Sequence, residues 1–184
     1  MAIITLNNRS INRSDTASAD QVWTATSATA SDFQASAGKI LQVESVNYST
    51  AETITSTSFT ETGLVLNITP ASTSNKILII CSPHIKSSRG VDNAAYKVAL
   101  YRDATAIMED DATNAYFIEF GGTTSAAIST KQSYEYLDSP SSTSEITYKL
   151  YLAAQSGANS EQVVLNNGGT NINSSLTLME ISAW

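Results

Sequence analysis

The sequence predicts an all-β chain: an antiparallel β-sandwich, jelly-roll-like, with an extended N-terminal arm. Three observations carry that expectation. Apolar residues alternate at period two, as in Tyr96, Val98 and Leu100 or Ile146, Tyr148, Leu150 and Leu152, which places each set on one face of a strand. Clusters of Ser, Thr, Asn, Asp, Gly and Pro separate these runs. No segment of helical length carries an apolar stripe at the helical period. The count is about nine or ten strands, spaced as in sandwich and jelly-roll folds.

The first 37 residues read differently from the rest. Residues 1–6 suit a short strand. Asn8-Arg9-Ser10 is echoed by Asn12-Arg13-Ser14. From Thr16 to Ala37 the chain is mostly Ala, Ser, Thr and Asp, broken by Val22, Trp23 and Phe33. That composition buries too little apolar surface to fold alone. An extended arm that orders against another surface is expected for residues 1–37, and a β-sandwich domain for 38–184. Trp23 and Phe33 either dock into a neighbour, as aromatics do at interfaces, or fold back on their own sandwich. Arg9 and Arg13 suit pairing with a partner's carboxylates or stand solvated.

Within 38–184, Lys39 to Tyr48 predicts a strand. Its apolar residues change face between Val43 and Val46, which suggests a bulge near Glu44 or Ser45. A weaker, Thr-rich segment follows, with Ile54 and Phe59. Leu64, Leu66 and Ile68 share a face, and Pro70 stops that ladder because it has no N–H to donate. Ser72 to Asn75 is turn chemistry. Ile77 to Ile80 is apolar on both faces, as expected of a central strand covered on each side. Ser87 to Asn93 reads as a loop. Tyr96 to Leu100 leads into a hairpin turn at Arg102 to Thr105, and Ala106 to Met108 returns.

Ala115 to Phe120 is a short aromatic strand, and Ala126 to Leu137 a long polar one. Asp138-Ser139-Pro140 turns the chain. Glu145 to Gln155 is a strand, Ser156 to Asn159 a turn, and Val163 to Leu165 a short strand. Asn166-Asn167-Gly168-Gly169 is the clearest hairpin signal. Leu176 to Ala183 is apolar on most of both faces and should be internal, with Trp184 at its end.

Charged residues make up 15% of the 184, below the usual quarter or so. Neutral hydroxyls and amides replace them, a surface suited to a shell or fibre. A net charge of −7 argues against nucleic acid, which needs clustered Lys and Arg. One cysteine, Cys81, rules out an intrachain disulfide framework and reads as a buried small hydrophobe. No apolar run reaches the ~18 residues of a membrane span, and no signal-peptide pattern starts the chain. Synthesis in the cytoplasm is expected.

The residues of chemistry are sparse. His84 is the single histidine and reads as a hydrogen-bonded strand-end residue, because a general base needs a partner group. Glu109-Asp110-Asp111 with Asn114 could offer oxygens to calcium, though an exposed acidic loop is the simpler reading. No catalytic residue, cofactor site or metal site is expected.

Five stretches, taken together in order, resemble a known family. They are Gly38-Lys39-Ile40-Leu41-Gln42-Val43, Thr62-Gly63-Leu64 through Ile68-Thr69-Pro70, and Ser72-Thr73-Ser74-Asn75-Lys76-Ile77-Leu78. Leu137-Asp138-Ser139-Pro140 with Thr147-Tyr148, and Leu176-Thr177-Leu178-Met179-Glu180-Ile181, complete the set. Residues 38–184 are similar to the β-sandwich domains of tailed-phage, cyanophage-like virion proteins of the capsid decoration (cement) and fibre type. The resemblance implies a virion-surface protein, commonly a homotrimer, on head or tail, and it brings no catalytic residues. The short arm before a compact domain favours a clamp on the head, with the major capsid protein as partner. No membrane, nucleic acid or enzymatic role is expected. Ile3, Ile4, Arg9, Arg13, Trp23 and Phe33 are the expected capsid contacts, and Trp184 a trimer-interface residue. The alternative is a fibre tip that binds a glycan receptor, with Tyr134 and Tyr136 as exposed flat binding faces.

Overall fold

A computed structural model of the chain describes residues 4–6, 9–11, 21–25, 31–35, 38–90, 94–110, 116–118, 126–156, 158, 160–167 and 172–183. Every regular element among them is a β-strand. The chain divides into two compact units, residues 1–39 with residue 184, and residues Ile40–Ala183.

In the first unit β1 (Ile4–Leu6) pairs antiparallel with β2 (Arg9–Ile11), and β3 (Gln21–Ala25) with β4 (Ser31–Ala35). The backbone of these strands is extended and paired within the segment. Ile4, Ile11, Val22, Trp23 and Phe33 are the β-branched and aromatic types that favour strands.

Among the described residues the second unit holds thirteen strands. These are β5 (Ile40–Tyr48), β6 (Glu52–Ile54), β7 (Thr60–Ile68), β8 (Lys76–Ser82), β9 (His84–Arg89), β10 (Ala94–Arg102), β11 (Thr105–Asp110), β12 (Tyr116–Ile118), β13 (Ala126–Lys131), β14 (Tyr134–Asp138), β15 (Ile146–Ala154), β16 (Gln162–Leu165) and β17 (Ser174–Ile181). They form one five-stranded sheet, β11-β10-β15-β7 with β12 also on β10, and two four-stranded sheets, β14-β8-β17-β5 and β13-β9-β16-β6.

The two four-stranded sheets share their chain paths. β5 leads to β6, β8 to β9, β13 to β14 and β16 to β17, in the same lateral order. They are one long sheet, the front sheet, broken along a line through Pro83. Proline cannot donate to a ladder, so the break falls there, and Pro83 C=O still accepts from Gln132 N–H at 3.3 Å.

Counting each path as one leg gives eight: β5/β6, β7, β8/β9, β10, β11/β12, β13/β14, β15 and β16/β17. The first pairs with the eighth, the second with the seventh, the third with the sixth and the fourth with the fifth. That is one long hairpin of legs wrapped into two sheets, the arrangement of an antiparallel jelly roll. The back sheet is β11/β12-β10-β15-β7.

Among the described residues the main core lies between the sheets, beside a minor cluster of Ala94 and Ile128. Ile77, Ile79, Cys81, Ile85, Val163, Leu165, Leu176 and Leu178 come from the front, and Leu64, Ile68, Tyr96, Val98, Leu100, Ile146, Tyr148, Leu150 and Leu152 from the back. Tyr96, Val98 and Leu100, and Ile146, Tyr148, Leu150 and Leu152, are core residues of β10 and β15, as their alternation predicts.

Four local expectations are corrected. Glu44 and Ser45 lie in regular register opposite Leu178 and Thr177, and the irregularity falls between Glu180 and Ile181, opposite Ile40–Gln42. Leu41 and Val43 are exposed; outward-facing apolar residues mimicked a change of face. Residues 87–89 belong to β9 rather than to a loop; the hydroxyls of Ser87 and Ser88 read as turn chemistry, yet Ser87 is buried and donates to Ala95 C=O at 2.7 Å. β16 and β17 are not the two arms of a hairpin, because they lie on one leg and flank the same neighbours; Gly168 and Gly169 lie outside the described residues. The outer faces of β8 and β17 are partly exposed rather than covered.

Two buried polar side chains, Asn166 and Glu180, are supplied with partners. Asn166, with φ of 53°, directly follows β16. Its side-chain amide donates to Tyr48 C=O at 2.8 Å and Thr50 C=O at 3.2 Å, and its Oδ1 accepts from Ser174 Oγ at 2.8 Å. Ser174 Oγ in turn accepts His84 N–H at 2.9 Å. Glu180 is buried and accepts Gln42 Nε2 at 2.6 Å, Ala71 N–H at 2.7 Å and Asn75 Nδ2 at 2.6 Å. A buried carboxylate is tolerated only when so supplied with donors.

Candidate functional site

The expected capsid contacts divide by position. Ile4 and Arg9 sit on β1 and β2, where Ile4 is registered with Ile11 and Leu6 with Arg9. Trp23 and Phe33, read as separate anchors, are direct register partners on β3 and β4. Ile3, Arg13 and Trp184 lie outside the described residues, as do Asp111 and Asn114.

In the second unit, side chains facing away from the core define two surfaces. On the front sheet, Val43 is registered with Met179, Met179 with Leu78, and Leu78 with Leu137. Opposed residues on neighbouring strands share a face, so these four make a continuous apolar row across the sheet. Leu78 and Met179 are half-buried, and Val43 and Leu137 are 52% and 48% exposed. Ile40 and Leu41 extend the patch along β5, an edge strand. Apolar residues at 78, 80, 179 and 181 were the signal in the sequence, read there as burial on both sides.

On the back sheet, Tyr101 and Tyr151 stack outward with ring centroids 4.0 Å apart and planes 26° from parallel. They roof Ala99, which is registered with Tyr151 and fully buried. The Tyr151 hydroxyl donates to Glu61 Oε2 at 2.7 Å, and Lys149 Nζ pairs with the same oxygen at 3.0 Å. The hydrogen bond to Glu61, then burial, pushes the Tyr151 phenol up to about 12. The same bond, followed by that from Lys149, holds Glu61 below the usual carboxylate range.

Tyr134 and Tyr136 do not form exposed platforms. Both pack against the core from β14. Tyr134 donates to Gln132 Oε1 at 2.8 Å, and burial pushes its phenol up to about 12. Alternation on a polar strand concealed which face was inward.

Glu109 and Asp110 are consecutive strand residues, registered with Ala99 and Val98. Consecutive strand positions point to opposite faces, so these two carboxylates do not converge. Among the described residues no group of three or more His, Cys, Asp or Glu is placed to hold a metal ion. His84 opens β9, with Nε2 3.3 Å from Ser129 Oγ.

Sequence reasoning missed a polar cluster between the sheets. Arg102 Nη1 donates to both Asp138 oxygens at 2.9 and 3.0 Å, and the Tyr148 hydroxyl donates to Asp138 Oδ2 at 2.7 Å. Its members come from β10, β14 and β15, and no spacing links them. It ties front to back and serves the fold.

No protein-family model matches the sequence, and no curated protein matches it. Among solved structures, the chain is similar to that of an infectious bursal disease virus VP2 subviral particle, with 15% identity, a TM-score of 0.36, and coverage of 87% of this chain and 41% of that one. It is similar also to the structure of the Gx strain of the same virus, at 11% identity and a TM-score of 0.34, covering 88% and 41%. The chain spans about two fifths of the length of these structures. At such TM-scores the likeness adds nothing to the fold read from the strand pairing.

Proposed function

We propose that this chain is a structural protein of a virus particle, a trimeric decoration (cement) protein of a tailed phage that stabilises the head by gripping major capsid subunits. The observation that supports this is the division of the chain. A jelly roll with its own continuous core occupies Ile40–Ala183, and the preceding residues form a separate unit of two short hairpins. Jelly rolls serve capsids, lectins and cupins alike, so fold alone does not choose; the low charge and the resemblance to phage virion domains favour a particle surface. The mechanism is multivalency: three modest N-terminal segments on one trimer act at high effective concentration.

The test is deletion of residues 1–37, followed by co-sedimentation with capsids stripped of the protein. The truncated chain is expected to keep its β-sheet circular dichroism and lose capsid binding. Full-strength binding without residues 1–37 removes the gripping role.

A second reading, a fibre tip that binds a host glycan, is favoured by the Tyr101–Tyr151 stack beside Glu61 and Lys149. Aromatic faces with nearby carboxylates suit sugar rings and hydroxyls. Specific hits on a glycan array that vanish in Tyr151→Ala would favour it, and silence favours the decoration reading.

A further inference from the structure

Among the described residues, the exposed large hydrophobics are Ile40, Leu41, Val43 and Leu137. All four lie on the sheet β14-β8-β17-β5. Val43 and Leu137 end the row that runs through Met179 and Leu78. On one side of that row the outward positions are Ile40, Ile181 and Lys76. On the other they are Ser45, Thr177, Ile80 and Glu135, and beyond these Asn47, Ser175 and Ser82. The patch is therefore bounded, apolar at one end of the sheet and polar at the other. Edge strands such as β5 ordinarily carry charges that prevent pairing with other chains, and here the outward positions of β5 from Ile40 to Val43 are apolar instead.

We propose that this face is the contact surface for a second copy of the chain, packed face to face about a twofold axis along the Val43–Met179–Leu78–Leu137 row. Charge selects that occupant. The two charged residues in the outward rows beside the apolar one are Lys76 and Glu135, of opposite sign and on opposite sides of it. A half-turn about the row sets Lys76 of one copy over Ile80 of the other. Glu135 is the register partner of Ile80, one strand spacing away at about 4.8 Å, within reach of a lysine side chain. Symmetry makes the pair twice, as an isologous interface requires. A partner surface of uniform charge would be repelled by one of the two. The apolar row then packs on its own copy, which removes an exposed patch of the kind that marks interaction sites.

The experiment is the mass of the full chain in solution, by sedimentation equilibrium. An even number of 19.6 kDa chains is expected: two, or six where the trimer proposed above also forms. Met179→Lys and Val43→Lys should each halve that number; Val43 is exposed enough for lysine to leave the fold intact, which circular dichroism checks. Lys76→Glu and Glu135→Lys should each weaken the association by at least ~10-fold, and the double swap should restore it. A wild-type mass of one or three chains overturns the proposal. So does an even mass unchanged by both lysine variants, or a double swap no better than its parents. A mass of two retains this contact and removes the trimer instead.

Discussion

Tyr148 and Asp138 meet across the sandwich. The phenol on the back sheet donates a 2.7 Å hydrogen bond to a carboxylate on the front sheet, and Arg102 holds the same carboxylate from its other side. Burial, then the bond to Asp138, raises the Tyr148 phenol above its ordinary range. Tyr148→Phe keeps the ring and removes one donor, so it should cost about 1–3 kcal/mol in urea unfolding. Asp138→Ala leaves the guanidinium without its carboxylate and should cost about 3–5 kcal/mol. Equal midpoints for Tyr148→Phe and wild type would show that the bond contributes nothing.

Gly63 on β7 lies directly beneath the ring tip of Tyr48 on β5, and a Cβ there would collide with it. The colliding atoms are the far end of a side chain, so the ring can swing aside at the loss of its packing. Gly63→Ala should destabilise by about 1–3 kcal/mol, the range of overpacked sites. In a Tyr48→Ala background the same change should cost nearly nothing. Additive effects in that double-mutant cycle would mean that the ring is not what requires glycine.

The Glu61–Tyr151 bond shifts both partners, in opposite directions. The Glu61 contribution to stability is present above its ordinary 4.5 and is lost as pH falls through its lowered folded value. The Tyr151 contribution is present below 10.0 and is lost as pH rises through about 12. Glu61→Gln removes the charge, so Tyr151 should ionise closer to 10.0. Ultraviolet titration of the phenolate, with Tyr151→Phe identifying the signal, measures this. An unmoved titration would assign the shift to burial.

Cys81 is fully buried on β8, and burial pushes its thiol up to about 12. Reactivity belongs to the thiolate, so a thiol reagent at neutral pH should label the native protein only as fast as it opens. Prompt labelling in native buffer would contradict the packing of β8.

Most of the strands were legible because apolar alternation has one reading when one face is wet. Tyr96–Leu100 and Ile146–Leu152 are such cases, and the turn at Asp103, with its φ of 53°, is another. The misreadings come where alternation fails. Leu78, Ile80, Met179 and Ile181 are apolar and face outward, so the chain looked covered where it is open. Asn166 supplies turn chemistry between two strands of one leg, and only the pairing of β16 and β17 with common neighbours distinguishes that from a hairpin. Candidate residues on β1–β4 were legible as types, but not the register that sets Trp23 opposite Phe33. The Asp138 cluster bonds Asp138 to residues 36 and 10 positions away, relations that no local pattern encodes.

The eighth leg is inserted between the first and the third, since β17 lies between β5 and β8. A ribosome therefore releases β5 and β8 long before the strand that joins them exists. Until then the inward Ile77 and Ile79 have no lateral neighbour on that side, and a nascent chain halted before Ser174 presents an open slot that chaperones or stray strands can fill. Maturation in vivo has to wait for the last strand to slide home, and pairing between such distant segments is the slow kind, on the order of milliseconds to seconds.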